Sequence, residues 1–179
     1  MPRPASDKRE RLTTAAIHLA RTEGIQSTTL AAIATEAGVA PGSVYYYFKT
    51  KDDVAAAVAD GIAELLAAQR AEYGTDAKAA LAALLSAYVD DAAAIRAHGT
   101  LLATASAGTG SDRAHREAID WVSEQFEALG FASPAARARA VHLLATVEGG
   151  AALARALDDP SPLEREAAHL ERWVENSSS

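Results

Sequence analysis

The chain has 179 residues, no cysteine and a formal net charge of −7. Its length is enough to bury a core as one domain or slightly more. The lack of cysteine excludes a disulfide framework and a thiolate metal site. Since neither an apolar run of about 18 residues nor a signal-like N-terminus is present, we expect a cytoplasmic protein with no membrane partner. Abundant alanine and few strand-favouring residues predict an all-α fold.

The charge is unevenly distributed along the chain. Residues 1–51 hold seven Lys/Arg and four Asp/Glu, a balance of +3, and residues 52–179 have a balance of −10. This asymmetry indicates a basic end that faces nucleic acid and an acidic remainder that limits non-specific binding. A balance of +3 is also ordinary for a solvated surface, so charge alone does not identify a nucleic-acid-binding region.

Two short helical patterns follow a first predicted helix that runs from about Asp7 to Thr22. Residues 28–51 read TTLAAIATEAGVAPGSVYYYFKTK. One pattern covers Leu30–Ala37 and the next covers Pro41–Tyr47, with Gly38 in the turn between them. Two short helices joined by a tight glycine turn predict a helix-turn-helix, whose second helix lies in the DNA major groove.

The residue types of this motif suit DNA binding. Gly38 can adopt the left-handed backbone of the turn, and Pro41 suits a first helical turn. Three consecutive tyrosines span about 200° of a helix, so at least one phenol faces outward, where it can bind phosphate. We predict phosphate contacts from Thr28, Thr29, Tyr45, Tyr47 and Lys51. We predict base contacts from Ala40, Pro41, Gly42 and Ser43, with Tyr46 able to make either contact.

The same run resembles the DNA-binding signature of the TetR family of bacterial transcriptional regulators. The resemblance covers about the first 60 residues, and Tyr47 stands where the family more often has His. It implies that the N-terminal helices bind double-stranded operator DNA as one half of a symmetric homodimer. The matching residues are Thr28, Thr29, Ile33, Ala34, Ala37, Gly38, Val39, Gly42, Tyr45, Phe48 and Lys51.

The remainder of the chain predicts a helical bundle. With residues 1–50 forming a three-helix DNA-binding domain, residues 51–179 form a six-helix domain for effector binding and dimerisation. Apolar spacing and break residues place its six helices at about residues 50–73, 76–97, 100–107, 119–129, 134–157 and 163–174.

The predicted eighth helix, 134–157, is apolar nearly all round, which indicates burial on two sides. A dimer explains this naturally, and a core helix softened by Gly149 and Gly150 is the alternative. Replacing Ala151 or Leu153 by Arg is then expected to give monomers. The predicted interface consists of Val147, Gly150, Ala151, Ala154, Leu170 and Trp173.

A second resemblance concerns the junction of the eighth and ninth predicted helices. The segment EGGAALARALDDPSPLE, Glu148 to Glu164, is similar to TetR-type regulators related to lincomycin-resistance repressors. In that group the two helices form a four-helix dimer interface. The resemblance implies the architecture and not a ligand.

An effector pocket is expected among the fourth to eighth predicted helices. Its candidates are residues that interrupt the aliphatic pattern, because buried polar groups need partners and a ligand can supply one. Each of them could also be an ordinary core residue. They are His98, Thr104, Trp121, Gln125, Phe126, His142 and Glu148.

Enzyme chemistry finds no support in the sequence. The five histidines form no HxxxH or HExxH pair, and no nucleophile-elbow pattern is present. We therefore predict no catalytic residue, no metal site and no cofactor. The predicted function is a repressor released from a palindromic operator by a small molecule. The alternative is a ligand-independent regulator whose C-terminal domain only dimerises.

Overall fold

The computed structural model describes residues 5–108 and 112–177. Within these ranges the chain is built from α-helices and contains no strand, which confirms the predicted all-α fold. The helices are α1 Ala5–Glu23, α2 Leu30–Glu36, α3 Pro41–Tyr47, α4 Lys51–Ala71, α5 Ala77–Asp90, α6 Ala92–His98, α7 Leu101–Ser106, α8 Arg113–Ala128, α9 Ser133–Leu157 and α10 Ser161–Glu175.

One predicted helix is two helices in the structure. The segment 76–97 is interrupted at Asp91, so seven helices rather than six follow α3 in the described residues. Asp91 has φ −91° and ψ 7°, outside the helical region, and its N–H still donates to the Ala87 carbonyl at 3.2 Å. Aspartate is a poor helix former. Since neither glycine nor proline stands at this position, the interruption has no strong signal in the sequence.

The chain divides into two compact units. The N-terminal unit consists of the residues up to Leu65 together with Leu101–Ala114, and the C-terminal unit consists of Leu66–Thr100 and His115–Ser179. Helices α4 and α8 each begin in the N-terminal unit and end in the C-terminal unit. The functional boundary between residues 50 and 51 stays a prediction.

The core of the N-terminal unit follows the predicted apolar spacing. Helix α1 packs against α2 and α7, and α2 packs against α3. The apolar stripe of α4 leaves the core at Leu65, which is 49% exposed. The buried residues include Leu12, Ala16, Leu19, Ala20, Ile33, Val54, Val58 and Ile62.

In the C-terminal unit, α9 packs against α6 and α10, and α10 also packs against α5. Gly150 has a structural reason to be glycine, because a Cβ there would lie 3.2 Å from the Leu163 Cα on α10. Helix α9 is long and apolar enough to cross a membrane by length and composition alone, as some core helices of folded domains are. Its buried residues include Leu143, Leu144, Val147, Ala151 and Ala154.

Candidate nucleic-acid interface

Helix α3 has one buried face and one exposed face. Val44 is fully buried and Phe48, just after the helix, is 2% exposed, so these two side chains anchor α3 to the core. On the other side Tyr45 is 61% exposed and Tyr46 is 81% exposed. Tyr47 is half-buried, and its ring lies 5.2 Å from the Tyr46 ring in an edge-to-face arrangement. The phenols of Tyr45 and Tyr46 therefore face solvent, as the sequence predicted for at least one of the three.

The beginning of α3 presents small residues to solvent. Ala40, Pro41 and Gly42 are exposed, and Ser43 is half-buried. A Cβ added at Gly42 would meet no atom within 4 Å, so the space beside it is open. Small side chains allow the backbone of a recognition helix to approach base edges closely.

The two threonines before α2 have different environments. Thr29 is exposed, and its Oγ1 accepts the Ala32 N–H at 3.1 Å as the N-cap of α2. Since a hydroxyl can accept and donate at once, the Thr29 proton is available to a phosphate. Thr28 is only 4% exposed, and its hydroxyl donates to the Gly24 carbonyl at 3.1 Å. Its one proton is therefore used, which corrects the predicted phosphate contact of Thr28 to a structural role before α2.

Lys51 lies at the start of α4, as predicted. It is exposed, and its Nζ donates to the carbonyl of Gln26 in the segment between α1 and α2. An ammonium has three donors, so Lys51 retains donors for a phosphate.

A carboxylate caps the same end of α4. Asp53 Oδ2 accepts the N–H groups of Lys49 at 2.8 Å and Thr50 at 2.9 Å, and the Asp53 N–H donates to Thr50 Oγ1 at 3.1 Å. These backbone hydrogen bonds hold the pKa of Asp53 below its usual 3.8. Thr50 and Asp53 therefore cap the N-terminus of α4 with reciprocal hydrogen bonds.

The predicted interface residues lie mostly inside one chain. Val147, Ala154 and Leu170 are fully buried, Ala151 is 1% exposed, and Gly150 is packed against α10. Only Trp173 is partly open; its ring lies 5.4 Å from the Phe126 ring and 5.3 Å from the His142 ring. This corrects the predicted set, because side chains already covered by their own chain cannot also cover a partner.

A different face of α9 is open. Its exposed apolar and small residues recur at helical spacing of three and four, and a Cβ added at Gly149 would meet no atom within 4 Å. We call this set the α9 outer face: Ala138, Val141, Ala145, Gly149, Ala152, Leu153, Ala156 and Leu157.

The predicted effector residues are not brought together as one site. Thr104 belongs to the N-terminal unit and the other six to the C-terminal unit. Phe126 is fully buried and packs its ring edge-to-face against Phe131 and Trp173. His142 is exposed, and His98 is half-buried. Phe126 is thus a core residue, and Thr104 lies in the other unit.

Three of the predicted residues make polar or aromatic contacts within the C-terminal unit. Glu148 accepts a hydrogen bond from the Tyr88 hydroxyl at 2.7 Å and one from the Thr100 hydroxyl at 2.8 Å. Gln125 donates to the Trp121 carbonyl at 3.2 Å, and the Trp121 ring lies 5.9 Å from the Tyr73 ring. Burial raises the pKa of Tyr88 well above its usual 10.0.

An arginine that the sequence gave no reason to select lies in the same unit. Arg70, near the end of α4, is 8% exposed, and its Nη2 lies 3.8 Å from Glu117 Oε2. Burial lowers the pKa of Arg70 below its usual range, and the charge of Glu117 opposes that shift.

An open groove of about 570 Å³ lies in the N-terminal unit, between α1 and α4. None of the predicted effector residues lines it. Its lining residues are Arg9, Glu10, Thr13, Thr14, Ile17, Gly61, Glu64 and Leu65.

The anchored, tyrosine-bearing α3 and the glycine turn before it define a DNA-binding protein of the helix-turn-helix class. Residues 12–58 match the family model described as bacterial regulatory proteins, tetR family. This match, together with the shared fold described below, supports the TetR family of DNA-binding transcriptional regulators that the sequence predicted. That family consists of regulators and not of enzymes.

Solved structures share the fold over almost the whole chain. A TetR transcriptional regulator from Legionella pneumophila is 20% identical, with 99% of each chain covered and a TM-score of 0.78. A TetR-family regulator from Streptomyces coelicolor is 26% identical, with 97% of each chain covered and a TM-score of 0.75. A transcriptional regulator from Rhodococcus sp. Rha1 is 28% identical over 93% of this chain and 95% of its own, with a TM-score of 0.71. No curated relative matches the chain. The link to the lincomycin-related group stays a prediction.

Proposed function

We propose that the protein is a cytoplasmic repressor that binds a palindromic operator as a homodimer and is released by a small molecule. The observation that carries this proposal is the anchoring of α3. Val44 and Phe48 are buried while Tyr45 and Tyr46 are open to solvent. A short helix fixed by one face and exposed along the other can enter a major groove without rearrangement.

The contacts with DNA divide into two groups. One group donates to phosphates and sets the position of the DNA-binding domain along the duplex; it consists of Thr29, Tyr45, Tyr47 and Lys51. The small residues Ala40, Pro41, Gly42 and Ser43 meet base edges together with Tyr46.

Operator selection from genomic DNA tests the proposal, followed by two variants on the selected duplex. Lys51→Ala should weaken binding to all sequences alike and reduce the slope of log Kobs against log [salt] by about 1. Ser43→Ala should change the sequence preference, by about 1–3 kcal/mol for a good base contact. Lys78→Ala is the matched control, because it removes the same charge from the C-terminal unit, where Lys78 Nζ donates to the Glu175 carbonyl. If neither Lys51→Ala nor Ser43→Ala alters DNA binding, α3 is not the recognition helix.

The dimer forms through the α9 outer face in this proposal. Gly149 supports the assignment, because a glycine inside a helix costs up to about 1 kcal/mol relative to alanine, and a Cβ at this position would meet no atom within 4 Å in the described part of the chain. A glycine at this position would allow a helix of the partner chain to approach closely. Val141, Leu153 and Leu157 are 46%, 53% and 63% exposed, which adds apolar area to the same face. Exposed apolar residues in a contiguous set are typical of interaction surfaces.

The effector site is proposed in the C-terminal unit. The combination of aromatic rings with a few polar groups near Trp121, Gln125 and Glu148 supports it. Tyr73 extends that set, since it is half-buried and its ring lies 5.9 Å from the Trp121 ring. The alternative, a ligand-independent regulator, is favoured by the full burial of Phe126.

A thermal-shift screen separates the two forms of the proposal. Small apolar compounds with one or two polar groups are added to the native protein, and the operator complex is measured in parallel. A compound that raises the melting midpoint and lowers operator affinity supports the ligand-released repressor. Operator binding that no stabilising compound weakens supports the alternative.

A further inference from the structure

Arg11 on α1 reaches across to the turn of the helix-turn-helix. Its Nη2 donates to the carbonyl oxygen of Ala37, the C-cap of α2, and lies 3.3 Å from the carbonyl oxygen of Gly38. Ala37 and Gly38 are 26 and 27 residues further along the chain. The side chain is half-buried, and its guanidinium points at protein acceptors. One cation of α1 therefore bridges two consecutive carbonyls of the turn.

The turn needs such a donor. The last carbonyls of a helix have no partner within the helix, and a cation there is favoured by the helix dipole. Helix α2 has no basic residue in its own last turn. Arg11 thus supplies from α1 the charge that α2 lacks.

Gly38 fits this arrangement in two ways. Its φ of +61° lies in the left-handed region that favours glycine. A Cβ at this position would also lie 3.2 Å from Arg11 Nη2, closer than most such contacts. The glycine therefore permits both the turn and the close approach of the guanidinium.

The orientation of α3 depends on this turn. Helix α3 has seven residues and no side-chain hydrogen bond at its N-cap Ala40, and the turn 38–40 fixes where it begins. Recognition requires base-reading groups to be held within about 0.5 Å of their working positions. A bond that fixes the turn to α1 is therefore in a position to set the accuracy of the reading helix.

We propose that Arg11 is a positioning residue for operator recognition, which holds the turn before α3 and does not bind phosphate. The inference rests on the proposed function, since it requires an operator.

The test compares Arg11→Met with Arg9→Met. Arg9 is an exposed arginine on the same helix, so the control removes the same charge. Affinities for the selected operator and for a scrambled duplex are measured at several salt concentrations, together with thermal melts. For Arg11→Met we expect the ratio of specific to non-specific affinity to fall about tenfold, as for the loss of one hydrogen bond to a charged group, with an unchanged salt slope. Arg9→Met should leave the ratio unchanged.

Each other outcome has a distinct meaning. If Arg11→Met lowers the salt slope by about 0.9 and weakens both duplexes alike, Arg11 is a phosphate ligand and the proposal is overturned. If only the melting midpoint falls, while the folded protein keeps its affinity ratio, Arg11 is merely structural and the proposal is again overturned. A native protein that shows no preference for any duplex refutes the proposed function itself, before any variant is made.

Arg11→Lys covers the case in which the methionine variant does not fold. Lysine keeps the charge but replaces the planar guanidinium, whose Nη2 contacts both carbonyls, by an ammonium of different shape. We expect the ratio of specific to non-specific affinity to fall less than in Arg11→Met, while the salt slope stays that of the native protein. A lysine variant with the native ratio would show that charge alone suffices, and would contradict the bridging role.

Discussion

Two arginine substitutions two residues apart on α9 should have opposite consequences. Ala151 is 1% exposed and Leu153 is 53% exposed in the single chain. We expect Leu153→Arg to give a folded monomer and Ala151→Arg to unfold or strongly destabilise the protein. From the sequence alone, both substitutions are expected to give monomers. The pair of variants therefore tests whether the α9 outer face, and not the buried face of α9, forms the dimer interface.

The expected magnitudes follow from the burial of each residue. An arginine at Ala151 would place an unpaired charge inside the packing, which costs about 3–5 kcal/mol, comparable with a total stability of about 5–15 kcal/mol. For Leu153→Arg the free energy of unfolding of the free protomer should change by no more than about 0.5 kcal/mol, because the side chain is open to solvent. In the dimer, each copy loses about 1 kcal/mol of apolar burial and adds a charge that must be desolvated, at about 1–3 kcal/mol. Two copies together weaken association by about 4 kcal/mol or more, which is about a thousandfold in Kd.

Sedimentation velocity over a range of concentrations, with thermal melts by circular dichroism, measures both quantities. Leu65→Arg is the matched control, because Leu65 is 49% exposed on α4 and is not part of the α9 outer face. It should leave the oligomeric state unchanged. A Leu153→Arg protein that remains as dimeric as the native chain would refute the assignment of the α9 outer face. A folded monomer from Ala151→Arg would restore the interface predicted from sequence.

Three further predictions concern single groups. Tyr88→Phe removes the donor to Glu148 Oε1 and should cost about 1–3 kcal/mol in urea unfolding. Because burial raises the pKa of Tyr88, the native chain holds the phenol proton while the unfolded chain releases it; stability should therefore fall as pH rises above 10.0, less so in Tyr88→Phe. The lowered pKa of Asp53 contributes stability that is present above 3.8 and is lost as pH falls through its folded value, so melts from pH 7 to pH 2 should show a smaller acid loss for Asp53→Asn. Gly149→Ala should raise the helix stability of a monomeric Leu153→Arg background by up to about 1 kcal/mol but weaken the dimer of the native background, as a thermal melt and sedimentation would show.

The sequence predicted the DNA-binding head well because its signals are local. Gly38 marks the turn, Pro41 marks the first residue of α3, and the predicted and observed bounds of α3 are the same. The bounds of α2 differ by one residue at Ala37, which is the C-cap. Glycine, proline and capping preferences act within a few residues, so a single sequence is enough to locate them.

Contacts between distant residues could not be predicted in this way. Arg11 meets the α2 turn 26 residues away, and Glu148 receives hydrogen bonds from Tyr88, 60 residues away, and Thr100, 48 residues away. No periodicity links such pairs. Arg70 was missed for the same reason, since only the fold shows that it is buried.

The orientation of α9 was the other limit. An apolar pattern all round a helix shows that both sides are covered but not which side faces its own chain. Val147 and Ala154 are small apolar residues like Ala145 and Ala152. The first two are buried, however, and the last two are exposed. The neighbouring glycines show the same ambiguity, which only the position of α10 resolves.

The most direct test of the central claim is to measure how many chains bind the selected operator and with what symmetry. Footprinting of the native protein on that duplex, with sedimentation of the complex, gives both. We predict two chains on a palindrome, protecting half-sites related by two-fold symmetry and separated by about one helical turn or a multiple of it. A single chain bound to an asymmetric site, or binding with no preference among duplexes, would contradict the account.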